Sequence, residues 1–141
     1  MSLRYGIFAL LFAPGLAAAQ VVHPEHVPAM YPAPGSTLQE FVGIGSVLLS
    51  THQSIALFTL APGAAYPESY NKASEEIYLI HSGKGTVWLG EDKSSVQAGD
   101  IVRISPRLRH HIAAAEDSSL TFYAISAPPF TANDYVQTQR H

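Results

Sequence analysis

Short apolar runs separated by turn-forming residues dominate the chain after its first forty positions. The runs are rich in Val, Ile, Leu, Tyr and Phe, and Gly, Pro, Asn, Asp and Ser lie between them. Such a regular succession of short strands and turns is typical of an all-β sandwich or barrel. The predicted strands are FVGIGSVLL (41–49), SIALFTLA (54–61), EIYLIHS (76–82), GTVWLG (85–90), DIVRIS (100–105), HHIAAA (110–115) and LTFYAIS (120–126).

The first nineteen residues follow a different pattern. A single Arg4 precedes the apolar run IFALLFAPGL, and small residues stand at Ala17 and Ala19. Charged, apolar and small-residue regions in this order are typical of a secretory signal peptide. The run is shorter than the roughly 20 apolar residues of a membrane-spanning helix, which disfavours the alternative of a membrane anchor. We therefore predict a signal peptide at residues 1–19, cleaved after Ala19, and export to a periplasm or to the outside of the cell.

The rest of the chain divides into an arm, one domain and a tail. Residues 20–40 are rich in proline, which disfavours both helix and central strand, so we expect an extended arm. Residues 41–135 contain the predicted strands and are expected to form one β-barrel domain. Residues 136–141 are a polar tail.

Composition narrows the range of functions. The formal net charge is −3, so nothing favours a nucleic-acid partner. The chain has no cysteine, which excludes disulfides and thiol catalysis. We expect no membrane partner once the signal peptide is removed.

Two turn-rich motifs in the second half of the chain have a specific spacing. They are GAAYPESYNKASEEIYLIHSG (63–83) and GDIVRISPRLRH (99–110), and their glycines suit tight turns. This spacing resembles the two consecutive motifs of the cupin family, and the likeness extends over nearly all of residues 41–135. The resemblance implies a single double-stranded β-helix, which is a jelly-roll-like barrel with a cavity between two sheets. It also implies a homodimer.

The resemblance further implies a metal site, of which this chain keeps only part. Glu76 and His110 match two of the family's four ligands, whereas Ser69 and Asn71 stand where two histidines are usual. An amide oxygen is a weaker ligand than imidazole, and an unionised hydroxyl binds poorly. We expect either one divalent ion (Fe, Mn, Zn or Ni) held by Asn71, Glu76, His110 and Ser69, or no metal. Other residues that could complete the site, each with a solvated surface position as its alternative, are His23, His26, His52 and Glu68.

Strand alternation selects the candidate catalytic residues. If Glu76 faces the cavity, Tyr78 shares its face, whereas His110 and His111 point to opposite faces. A buried carboxylate without a partner costs several kcal/mol, so Glu76 requires a protonated His110 or a cation. We predict Glu76, Tyr78 and His110 as catalytic residues. With a metal they would help to polarise a substrate; without one, His110 would be a general acid or base.

Each of the other notable side chains near these motifs has two possible roles. Arg107 and Arg109 could attract an anionic substrate or lie in a solvated loop. Several aromatic residues could line the cavity or fill the core. They are Tyr66, Tyr70, Trp88, Phe122 and Tyr123.

These observations leave three alternative classes of function for the protein. The first is an exported, small-molecule enzyme, namely a metal-dependent oxidoreductase or an isomerase-type enzyme that uses Glu76 and His110. The second is a metal-free binder of a polar or sugar-like ligand, and the third is a structural or partner-binding barrel. The two missing histidines favour the second and third classes, whereas the retained Glu76, Tyr78 and His110 favour the first.

Overall fold

Ten β-strands make up the protein in a computed structural model that describes residues 20–138. No α-helix occurs in this range, so no helix there could cross a membrane. The all-β prediction is confirmed, while the predicted signal peptide lies outside the described residues. The strands are β1 Ser36–Gly43, β2 Leu48–Leu49, β3 Ser54–Leu60, β4 Ala65–Asn71, β5 Glu75–Leu89, β6 Asp92–Gln97, β7 Ile101–Ile104, β8 His110–Ala114, β9 Leu120–Ala127 and β10 Tyr135–Gln137.

The strands form two sheets that share the long strand β5. The first sheet has the order β2-β1-β3-β9-β5-β7, and the second has the order β10-β4-β8-β5-β6. All pairs are antiparallel except β1 with β2. The amino-terminal half of β5 pairs with β9 and β7, and its carboxyl-terminal half pairs with β6 and β8. This one strand therefore joins the two walls of the barrel.

Gly83 lies where β5 passes from one sheet to the other. The pairing of β5 with β9 shifts register between Ile80 and Ser82, and Gly83 has a φ of +80°. A Cβ atom built on Gly83 would lie 1.8 Å from the backbone oxygen of Ser119. Only glycine fits a positive φ combined with such a close backbone approach.

Fully buried apolar side chains fill one end of the barrel. Phe122 stacks on Phe58 with ring centroids 5.1 Å apart, and Tyr78 packs against Phe122 at 4.6 Å. Of these three residues, Phe58 and Tyr78 also line the cavity at the open end of the barrel. The fully buried residues are Leu60, Ile80, Val87, Ile104, Ile112, Leu120 and Phe122.

Several strand boundaries differ from those predicted. β1 begins at Ser36, so its first five residues come from the segment assigned to the arm. EIYLIHS and GTVWLG belong to one continuous strand, β5. β10 takes Val136 and Gln137 from the predicted polar tail. β4 and β6 were not predicted either, because one contains Pro67 among polar residues and the other has little apolar character. Pairing with neighbouring strands stabilises both segments despite their weak local preference.

The arm packs along the outside of β1. The Gln39 side-chain amide donates hydrogen bonds to the backbone oxygens of Pro24 and Val27, both at 2.8 Å. Val27 is buried, and Met30 pairs with Leu38 through an isolated bridge. The arm is thus anchored on the barrel over residues 24–30.

Residues after β9 return to the open end of the barrel and pair with the second sheet. β10 pairs with β4, and Asp134 accepts hydrogen bonds from the backbone N–H groups of Ala73 (2.7 Å) and Ser74 (3.1 Å) and from the Ser74 hydroxyl. Burial raises the pKa of Asp134, but these hydrogen bonds and the charge of Lys72 outweigh it and hold the pKa below its usual value. Asp134 is therefore the main polar anchor of the returning segment.

Replacing Asp134 with alanine is expected to lower the free energy of unfolding by about 1–3 kcal/mol, because hydrogen bonds to an ionised group are lost. Since the pKa is lowered by folding, this contribution is present above about pH 4 and is lost as the pH falls. Urea denaturation at pH 7 and at pH 3 measures both effects. Asp134→Asn keeps one acceptor oxygen and is expected to fall between the two proteins at pH 7. An equal difference between wild type and Asp134→Ala at both pH values would contradict this role.

Candidate active site in the barrel cavity

A cavity of about 330 Å³ lies between the two sheets at the open end of the barrel. Strands β1, β3, β5 and β9 of the first sheet line one side, and β4 and β8 of the second sheet line the other. Residues 43–46 and 130–135 surround the mouth. The polar side chains that line the cavity are Glu40, Ser46, Ser54, Tyr66, Ser69, Asn71, Glu76, Tyr78, His110, Ser126, Thr131 and Tyr135.

The centre of the polar wall is an acid–base pair. His110 Nε2 lies 3.3 Å from Glu76 Oε2, and the two side chains are 3% and 13% exposed. On the other side of the ring, His110 Nδ1 lies 2.9 Å from the backbone oxygen of Leu108. A carbonyl oxygen can only accept, so Nδ1 carries a hydrogen and the ring presents Nε2 to Glu76.

This geometry determines under which conditions Glu76 and His110 can form a hydrogen bond with each other. With Nδ1 protonated, a neutral His110 would oppose its Nε2 lone pair to the lone pairs of an ionised Glu76. A proton on either His110 Nε2 or Glu76 Oε2 turns the contact into a charge-assisted or neutral hydrogen bond. The pair is therefore arranged to accept a proton between this nitrogen and this oxygen.

Two neutral side chains orient the Glu76 carboxylate. Asn71 Nδ2 donates to Glu76 Oε2 at 3.2 Å, and Ser126 Oγ donates to Oε1 at 3.5 Å. Asn71, a predicted metal ligand, thus presents its N–H group to the carboxylate. Its role in this arrangement is to stabilise the negative charge of Glu76.

The donor set does not fit a resident metal ion. Glu76 and His110 are two strong donors, and Asn71 presents a nitrogen that carries hydrogens. Ser69 is buried opposite His110 and adds only a neutral hydroxyl. Within residues 20–138 no three His, Cys, Asp or Glu side chains are grouped so as to hold a metal. A facial triad of two His and one carboxylate is therefore incomplete in this part of the chain.

The four residues considered as extra ligands lie away from the cavity. Glu68 Oε1 accepts a hydrogen bond from the Thr138 hydroxyl at 2.6 Å, on the outer side of β4. His52 is exposed in the turn before β3, and His23 and His26 are exposed on the arm. None of them lines the cavity.

Two tyrosines extend the polar wall. Tyr78 is buried and meets the His110 ring edge-to-face at a centroid distance of 6.0 Å. Burial, followed by the charge of Glu76, raises the pKa of Tyr78 well above its usual value. Burial also raises the pKa of Tyr66, with contributions from Tyr135 and Glu76. Both phenols are therefore neutral hydroxyl groups at physiological pH and can donate hydrogen bonds into the cavity.

The buried Tyr78 hydroxyl predicts a loss of stability at high pH. Because folding raises its pKa, its contribution is complete below the unfolded value of about 10 and is lost as the pH rises further. We expect the unfolding free energy to decrease above pH 10 by about 1.4 kcal/mol per pH unit for each such tyrosine. Denaturant titrations at several pH values should show a shallower decrease for Tyr78→Phe than for wild type. The exposed Tyr31→Phe variant is the control, and parallel profiles for all three proteins would contradict the prediction.

The structure brings together the residues predicted as catalytic, namely Glu76, Tyr78 and His110, and their catalytic role stays a prediction. His111 points away from the cavity, as alternation requires, but it is buried and stacks on Trp88 at 4.1 Å. Of the other aromatic candidates, Tyr66 lines the cavity, while Phe122 belongs to the core.

Sequence reasoning missed Glu40 and Tyr135 as cavity residues. Glu40 had been assigned to the arm and Tyr135 to the last residue of the domain, although both line the cavity. Apolar residues on either side of Glu40, at alternate positions of LQEFV, were the signal for a strand. Arg107 and Arg109 are exposed and do not line the cavity, which agrees with the solvated-loop interpretation of these two residues.

Comparisons with known proteins agree with this architecture. A family model described as a cupin domain matches residues 56–126. An uncharacterized protein from Methanocaldococcus jannaschii is 29% identical over 100 residues, which cover 71% of this chain and 79% of that protein. Among solved structures, a cupin protein from Bacteroides fragilis is 30% identical with a TM-score of 0.59, covering 82% of this chain and 92% of that chain.

A second solved structure is similar in fold at lower identity. Pac13, a nucleoside dehydratase from Streptomyces, has a TM-score of 0.72 and 18% identity, with 86% of this chain and 92% of that chain covered. The two shared sheets, the cavity between them and the family match over half of the chain lead to one conclusion: this chain belongs to the cupin family.

Proposed function

We propose that this protein is an isomerase- or lyase-type enzyme that moves a proton on a small polar molecule bound in the barrel. The observation that carries the proposal is the orientation of His110, whose Nε2 faces both the cavity and Glu76 Oε2 at 3.3 Å. General acid–base catalysis needs such a base within reach of the substrate and a second group that sets its proton. The similarity in fold to a nucleoside dehydratase, variants of which were solved with uridine, supports a ligand of about that size.

The residues of this chain suggest a division of labour. His110 Nε2 removes a proton from a C–H group beside a carbonyl of the ligand, the electron pair of that bond moves to the carbonyl oxygen, and Glu76 stabilises the imidazolium that results. Asn71 and Ser126 hold the carboxylate in place. Tyr66 and Tyr78 donate hydrogen bonds to the oxygen on which negative charge develops. Return of the proton to another atom completes an isomerisation, and its transfer to a leaving hydroxyl completes an elimination of water.

A direct test is to incubate the protein with neutral sugars and nucleosides in D₂O and to follow each compound by NMR. An enzyme of this type is expected to replace one carbon-bound hydrogen by deuterium or to form an unsaturated product. Glu76→Gln should abolish this change, while Glu91→Gln, the same substitution at an exposed position outside the cavity, should leave it. Ligands that bind in the cavity without any exchange or product would instead support the second candidate, a non-catalytic binder.

The metal-dependent alternative has its own test. From the incomplete donor set we expect well under one ion per chain by elemental analysis, and a melting temperature that a chelator does not change. About one tightly held ion per chain, lost in His110→Ala, would contradict the metal-free mechanism and support a metal-dependent cupin.

Export and dimer formation complete the proposal. Expression in a secreting bacterial host is expected to yield a mature protein that starts at Gln20, and a retained amino terminus would argue against cleavage.

The outer face of the first sheet exposes Leu79 and its pairing neighbour Ile101, which supports a homodimer through this face. Leu79→Glu should then reduce the mass measured by sedimentation from two chains to one, and an unchanged mass would argue against this face.

A further inference from the structure

A second carboxylate lines the cavity on the wall opposite His110. Leu38, Glu40 and Val42 of β1 all contribute to the cavity surface, and Glu40 is half-buried. The register of β1 against β3 shifts directly after Glu40, so that Phe41 instead packs on the outer side against Tyr123. The strand thus directs Glu40 into the cavity between two apolar neighbours.

The floor between Glu40 and the catalytic wall is made of very short side chains. Glu40 pairs with Ala56, Ala56 with Ala124, and Ala124 with Tyr78 in one row across four strands. Three inter-strand steps of about 4.8 Å place the two ends of the row about 14 Å apart along the sheet. Alanine at both middle positions leaves this span open, and a ligand lying across it reaches Glu40 at one end and the Tyr78–His110 wall at the other.

No group of the described residues donates a hydrogen bond to the Glu40 carboxylate. Within residues 20–138, Glu40 makes no side-chain hydrogen bond and no ion pair, whereas Glu76 contacts Asn71, Ser126 and His110. An ionised carboxylate can only accept hydrogen bonds. A ligand group next to Glu40 must therefore be a donor.

The charges around the cavity also disfavour a ligand with negative charge. The lining contains two carboxylates and one imidazole, and no lysine or arginine of the described chain contributes to it. Arg103 pairs with Glu75 outside the barrel, and Lys72 donates to the backbone oxygen of Asn133. A phosphate or carboxylate in this cavity would meet negative charge without a cationic partner, which is unfavourable in a partly desolvated site.

We propose that Glu40 is a specificity-determining residue that accepts hydrogen bonds from hydroxyl or ammonium groups of the ligand, and that the cavity selects ligands without negative charge. This inference rests on the proposed function, because it assigns the substrate class of the same cavity. It excludes sugar phosphates, nucleotides and sugar acids and retains neutral sugars, nucleosides and amino sugars.

The test is a fragment screen by ligand-detected NMR in which the library contains equal numbers of polyhydroxyl, amine, and carboxylate or phosphate compounds. Binding in the cavity is identified by shifts of the His110 ring signals. We expect hits among hydroxyl and amine compounds and few among anions, and the relative number of the first two distinguishes neutral from cationic ligands. Matched ligands, such as uridine, 5′-amino-5′-deoxyuridine and uridine 5′-monophosphate, then measure the discrimination on one scaffold.

Two variants test whether Glu40 is the residue that selects ligands without negative charge. Glu40→Gln keeps the size of the side chain and should weaken the non-anionic hits by about 10- to 100-fold, as expected for loss of a charge-assisted hydrogen bond. Glu91→Gln changes the same charge at an exposed position outside the cavity and should weaken none. Hits that are mainly anionic, or hits that Glu40→Gln leaves unchanged, would overturn this inference while leaving the proposed function intact. A folded protein that binds no fragment of any class in the cavity would overturn both.

Discussion

Replacing His110 with alanine is expected to lower turnover by about 10²- to 10⁴-fold, which is the usual contribution of a general acid or base. His110 Nε2 is the nitrogen that faces the cavity, and the hydrogen bond from Nδ1 to Leu108 fixes it there. Alanine removes the group that accepts the substrate's proton and leaves Glu76 without its partner. Substrate binding should change much less, because the tyrosines and Glu40 are retained.

The measurement is turnover and dissociation constant for the first compound that shows deuterium exchange with wild type. The matched control is His111→Phe, which changes the adjacent histidine but keeps an aromatic ring against Trp88. His111 lies outside the cavity, so this variant should retain turnover when assayed below its melting temperature. Loss of turnover in both variants to the same degree would mean that the strand, and not the His110 imidazole, is what matters.

Replacing Gly83 with alanine is expected to have the largest effect on stability, with a loss of more than about 4 kcal/mol. The new methyl group would lie 1.8 Å from the Ser119 oxygen, and a backbone atom cannot turn away as a flexible side chain can. The clash would separate β5 from β9 at the point where β5 changes sheets. Because β5 belongs to both walls, the damage should extend to the whole barrel.

Gly99→Ala provides a control for the conformational part of this effect. Gly99 has a φ of +92°, but a Cβ atom there meets nothing within 4 Å. Only the strain of a left-handed backbone remains, which costs about 1–2 kcal/mol. Chemical denaturation of both variants measures the difference. Equal losses for Gly83→Ala and Gly99→Ala would show that the backbone can move to relieve the clash.

The sequence was sufficient to predict an all-β fold, since alternation and turn residues are local properties. Strands β3, β7, β8 and β9 were found close to their observed bounds. β4 and β6 were missed, because AYPESYN and DKSSVQ have weak strand preference by themselves. They are strands because β8, β10 and the carboxyl-terminal half of β5 supply their hydrogen-bonding partners.

Alternation and the cupin-like motif spacing together predicted three residues that line the cavity. Glu76 and Tyr78 are two residues apart on β5, so they had to share a face, and His110 was selected by its position in the second motif. Alternation could not predict that Tyr66 faces the cavity. β4 shifts register between Tyr66 and Ser69, and this bulge lets both side chains face the cavity although they are an odd number of residues apart.

The sequence by itself determined the fold class and placed Glu76 and Tyr78 on one face of a strand, because alternation and turn residues are properties of neighbours within one strand or turn. Only the tertiary structure decided the use of Asn71 as a hydrogen-bond donor to Glu76, the entry of Tyr135 into the cavity and the position of Glu40 across from His110. These three features depend on strands that are distant along the chain and meet only after both sheets have formed. The physical reason is that a side chain's face is a local property, whereas the group it faces is set by strand order, register and bulges.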